Sequence, residues 1–128
     1  MDFKTYNFWD IIKELDWVNL CKDETKKPYI QARIKLDKIV SNNDRWLSEI
    51  KSTVVAYRRI LQEKLREYSL KVYGERYIFP SISDDSLWDL TAHIVGCGKE
   101  DYEYVMNDPA YVLCYLDTYK ENFEYTFN

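Results

Sequence analysis

Residues 44–74 read DRWLSEIKSTVVAYRRILQEKLREYSLKVYG. Within this stretch Leu47, Ile50, Val54, Tyr57, Leu61, Leu65, Tyr68 and Val72 follow one another at gaps of three and four. Side chains so spaced stack on one side of an α-helix, and here they predict an apolar stripe about seven turns long. Lys, Arg and Glu occupy the opposite face. Ser41-Asn42-Asn43-Asp44 supplies the turn and cap before the helix, and Gly74 supplies its stop. A coiled-coil seam would show the same spacing, but a chain of 128 residues has room for this helix as the centre of its own core, which is the reading preferred here.

Working outward, Phe8, Trp9, Ile11, Ile12, Leu15 and Val18 predict a first amphipathic helix over 7–20, with Asn7 as its cap. The polar run Lys22 to Lys27 is a loop. Pro28 opens a second helix that runs to about Val40, with Ala32, Leu36, Ile39 and Val40 on one face. Beyond Gly74, Tyr77-Ile78-Phe79-Pro80 reads as extended, because a residue before proline is pushed out of the helical region. Ser83 caps a helix that starts with Asp84 and Asp85, where carboxylates meet the positive end of the helix dipole. Leu87, Leu90 and Ile94 form its buried face, and Gly96 and Gly98 end it. A short helix follows over Lys99 to Met106 and is broken at Asn107-Asp108-Pro109. Residues 110–120, through Val112, Leu113 and Leu116, predict a last helix before a Tyr/Phe-rich tail. The fold expected is mainly α: one compact helical domain over 1–128, with about five to six helices around one long central helix.

The composition agrees. Apolar residues make up 46% of the chain and charged residues 31%, neither of which suggests disorder, and three Gly and three Pro allow few sharp turns. Cys21, Cys97 and Cys114 are far apart and form no C-x-x-C pair, so structural thiols in a reducing compartment are expected. The start, Met1-Asp2-Phe3-Lys4, lacks the basic and apolar runs of a signal peptide. No stretch approaches the roughly 20 apolar residues of a membrane span. A cytoplasmic protein without membrane contact is expected.

The net charge of −4 is unevenly spread. Residues 22–76 carry fourteen Lys/Arg against eight Asp/Glu, and residues 77–128 carry two Lys against ten Asp/Glu. The two charged parts can simply face each other or water, which is the plainer reading; the acidic C-terminal third could also meet a basic protein partner, since complementary potentials steer encounter, and nucleic acid is not expected.

Several of these segments together resemble a known family. Ser83-Asp84-Asp85-Ser86-Leu87-Trp88-Asp89-Leu90, Gly98-Lys99-Glu100 with Tyr102, and Asp108-Pro109 resemble the core motif of the bacterial domain-of-unknown-function family 4240. Phe8-Trp9-Asp10-Ile11-Ile12 resembles its opening. Leu87 and Leu90 replace the family's usual Phe, and His93 stands where it has Trp. The resemblance implies a helical fold and a setting among toxin-immunity clusters. The motif Ser83, Asp84, Asp85, Ser86, Asp89 and Gly98 is read as architectural.

Chemistry has little material. Asp85, Asp89 and His93 fall at i, i+4 and i+8 and are the candidate metal ligands or acid–base groups, but they rise about 12 Å along one helix and cannot all reach one small ion. Asp89 can instead pair with a cation of the middle helix. Phosphate loops, zinc-protease motifs and serine-hydrolase elbows are absent from the sequence, and His93 is its single histidine. A thiol at Cys97 ends a helix, where activation is disfavoured. No cofactor and no catalytic residue are assigned.

The leading expectation is a non-catalytic binding protein, an immunity protein neutralising a basic toxin. Its surface would be Asp101, Glu103, Asp108, Tyr111, Tyr115, Asp117, Tyr119, Glu121 and Glu124, because Tyr gives large contact area at low entropic cost. A small metal-dependent enzyme centred on Asp85, Asp89 and His93 is the alternative, and a structural or regulatory homodimer built on the middle helix is the third.

Overall fold

The computed structural model describes residues 7–23, 25–74, 83–116, 119–120 and 122–128. Asn7 caps α1 (Phe8–Leu15) by accepting from Asp10 N. The expected single helix over 7–20 is in fact two, because Asp16 takes a left-handed conformation (φ 55°, ψ 44°) before α2 (Trp17–Leu20). Aspartate tolerates that region, and Asn19 Nδ2 donates to both oxygens of its carboxylate. In an unbroken helix residues 15 and 17 would point about 200° apart. The break buries both Leu15 and Trp17 and leaves Val18, expected inside, 45% exposed.

Pro28 begins α3 (Pro28–Val40), which buries Ala32, Leu36 and Val40. Asn43 caps α4 (Asp44–Tyr73), the long helix read from the sequence, and Gly74 ends it. Ile50, Val54, Leu61 and Leu65 face the core as expected, Leu47, Tyr57 and Tyr68 are half-buried, and Val72 is exposed. Two polar residues, Arg58 and Ser69, take buried places on the same face.

Ser83 caps α5 (Asp84–Cys97) by accepting from Ser86 N at 3.1 Å. Gly96 lies inside α5, where the sequence had it ending the helix. It is required there for closeness: a Cβ would fall 2.9 Å from Trp17 and 3.0 Å from Phe123. Gly98, at φ 112°, makes the corner into α6 (Lys99–Asn107), a conformation that side chains with a Cβ rarely adopt.

The last expected helix is corrected. Pro109–Tyr115 is a 3₁₀ helix, its turns closed by i to i+3 bonds such as Tyr111 N to Asp108 O. It buries Val112 alone, so it lacks the repeating apolar face that sustains an α-helix. A second 3₁₀ helix, Phe123–Phe127, turns part of the aromatic tail into core, with Phe123, Thr126 and Phe127 buried. It packs on α3 and α5, while α5 packs on α4, α1 and α6. Among the described residues six α-helices therefore form one compact domain around α5 and the inner face of α4. No helix among the described residues is long and apolar enough to cross a membrane. The segment Tyr77-Ile78-Phe79-Pro80 lies outside the described residues.

Candidate functional site

The acidic, tyrosine-rich surface is built by the corner at Asp108. Tyr104 on α6 and Tyr111 on the 3₁₀ helix bring their rings to 4.3 Å, and Tyr111 meets Tyr115 edge-on at 5.7 Å. Tyr115 Oη then donates to Asp101 Oδ1 at 2.6 Å, closing the row back onto α6. Burial, followed by that carboxylate, pushes the Tyr115 phenol upward, so it remains a donor. Glu100, Glu103, Tyr104 and Asp108 are exposed along this ridge, and Lys99 lies 3.9 Å from Glu103.

The structure thus places Asp101, Glu103, Asp108, Tyr111 and Tyr115 on one ridge, and separates the remaining candidates from it. Tyr119 is half-buried, its ring 6.4 Å from that of His93. Glu124 turns inward towards Asp89 and Arg58, while its neighbour Tyr125 packs edge-on against Tyr29. Asp117 and Glu121 lie outside the described residues. Tyr104 and Glu100 were missed; Tyr104 stands seven residues before Tyr111, a spacing that becomes visible as a contact only once the chain reverses at Pro109.

Asp85, Asp89 and His93 share a helix but not a site. Asp85 is exposed, Asp89 faces Glu124, and His93 is 6% exposed within the core. Among the described residues no three His, Cys, Asp or Glu side chains are arranged to hold a metal ion.

His93 is instead a hub that the sequence did not reveal. Its Nδ1 accepts from Trp17 Nε1 at 3.0 Å and from the Lys120 backbone N–H at 3.2 Å. With Nδ1 accepting, the ring proton sits on Nε2, which faces Cys97 Sγ at 3.5 Å. Burial lowers the imidazole's pKa to about 4 and raises that of Cys97 to about 12. A base for Cys97 would need a bare Nε2, so the pair is held in the wrong tautomer for nucleophilic attack. Both side chains line a cavity of about 480 Å³ that also reaches Cys21, Cys114, Asp101 and Lys120. Burial likewise raises the Cys21 thiol to about 11.

A second polar cluster surrounds Arg58, which is 4% exposed. Its Nη2 donates to Trp88 O at 2.9 Å and its guanidinium lies 3.8 Å over the Trp88 ring. The charges of Glu124 and Asp89 partly offset the lowering of its pKa by burial, while the hydrogen bond and the ring contact it makes go to Trp88. No protein-family model, curated protein or solved structure matches this chain.

Proposed function

We propose that this protein is a cytoplasmic, non-catalytic binding module that offers the ridge of α6 and the 3₁₀ helix Pro109–Tyr115 to a basic protein, of the kind a toxin domain would be. On this reading the chain is a relative of the domain-of-unknown-function family 4240. The observation that carries the proposal is the row Tyr104–Tyr111–Tyr115–Asp101, locked by ring contacts and a 2.6 Å hydrogen bond yet open to solvent at Tyr104. Aromatic rings already held in place lose little freedom on docking, and Glu100, Glu103 and Asp108 beside them supply steering charge. The wrong-tautomer His93–Cys97 pair supports a role without bond-breaking.

The test begins with recovery of the partner on tagged full-length protein, followed by kinetics on the purified pair. A variant carrying Glu100→Lys, Glu103→Lys and Asp108→Lys should associate roughly tenfold or more slowly at low salt, with the gap closing as salt rises. Tyr104→Ala should chiefly hasten dissociation. An acidic partner, or unchanged kinetics in both variants, would remove the ridge from consideration.

A further inference from the structure

Asp89 on α5 and Glu124 in the C-terminal 3₁₀ helix bring two carboxyl groups into hydrogen-bonding contact, although both are acceptors when ionised. The nearby cation cannot satisfy both. Arg58 gives Nη2 to the Trp88 carbonyl, lays its face on the Trp88 ring, and its Nε has no partner among the described residues. Glu124 Oε2 is also buried without a partner among them. Two carboxylates against one diverted guanidinium leave an excess negative charge in a poorly hydrated place, which a single proton removes.

We infer that Asp89 and Glu124 share a proton, and that this proton latches the C-terminal segment Phe123–Phe127 onto the core. The other charged groups reaching the segment act further along it. Arg33 of α3 donates to Thr126 O and Asn128 O, and Lys51 of α4 donates to Asn128 Oδ1. Release of the segment would withdraw Phe123 from Trp17, 4.8 Å away, and uncover Gly96.

The direction of the pH response follows. Burial, then the Asp89 contact, raises the Glu124 carboxyl to about 7. A carboxyl raised on docking favours the docked state below its ordinary value, and that preference is lost as pH climbs through about 7. His93 works oppositely: with its pKa lowered to about 4, it favours folding above the ordinary histidine range and loses that contribution as pH falls. The two responses overlap, so the latch is read between about pH 5.5 and 8 as the difference between wild type and Glu124→Gln, in which the His93 contribution cancels.

Two measurements on the full chain test it. Carbon-13 NMR of the Glu124 carboxyl should show a titration midpoint near 7. Hydrogen exchange of the 123–128 amides, corrected for intrinsic rates, should lose protection by up to roughly tenfold per pH unit approaching that midpoint from below. Glu124→Gln and Asp89→Asn each supply the shared hydrogen permanently, so either should keep the segment protected at pH 8. A midpoint in the ordinary carboxylate range, or wild-type protection that does not change across this window, would overturn the inference. So would an unaltered pH dependence in a folded variant, and the wild-type titration decides the matter if both variants fail to fold.

Discussion

At Nδ1 of His93 two donors from distant parts of the chain converge, and most residue-scale consequences follow from that atom. An apolar replacement would leave Trp17 Nε1 buried and unpaired and take the acceptor from the Lys120 amide, so His93→Phe should cost about 2–4 kcal/mol by chemical denaturation although phenylalanine fills similar space. Acid should attack the same contacts. The imidazole's lowered pKa means stability is lost as pH falls from about 6.5 towards 4. Glu124 opposes this above its ordinary range, so the acid limb should steepen in Glu124→Gln, a change that denaturant titrations at pH 5 and 6.5 would reveal. Gly96 is the steric counterpart of His93. Gly96→Ala must displace Trp17 or Phe123 and should cost about 1–3 kcal/mol. Phe123→Leu should recover part of that loss, which a double-mutant cycle would measure.

At the scale of elements, α4 was the most legible part, because eight apolar positions in one register outvote local ambiguity. The same periodicity fails where burial is decided by partners from elsewhere in the chain. Arg58 reads as part of the charged face and is buried by Trp88, a contact thirty residues away in sequence. Val18 and Trp17 exchanged roles because one left-handed residue, Asp16, reset the phase, and Asp within a helical pattern carries no clear mark of that choice. The tail could not be read as core, since Phe123 and Phe127 owe their burial to the packing of their 3₁₀ helix on α3 and α5. The ridge was legible in composition but not in membership: charge and tyrosine content singled out the last third of the chain, while the corner at Pro109 decided which side chains met. Register in α4 can be checked directly. Leu61→Ala should cost about 2–5 kcal/mol, whereas Ile60→Ala, at a position 53% exposed, should stay within about 0.5 kcal/mol. The cap is a smaller matter: Ser83→Ala should cost about 1 kcal/mol in melting experiments through loss of its bond to Ser86 N.

For the whole molecule, charge and packing divide the work. The basic 22–76 region contributes α3 and α4, and the acidic remainder contributes α5, α6 and the ridge. Within it, Phe123, Thr126 and Phe127 complete a core that also holds Trp17 from near the start. The Trp17–His93 hydrogen bond spans 76 residues. Closing a loop of that length costs about 4 kcal/mol of chain entropy, whereas the helices and the turns between successive ones close cheaply. The barrier to folding should therefore be crossed with the indole still unplaced. Trp17→Phe would then leave the refolding rate nearly untouched and accelerate unfolding, so the bond governs how long a folded molecule lasts, not how quickly one forms.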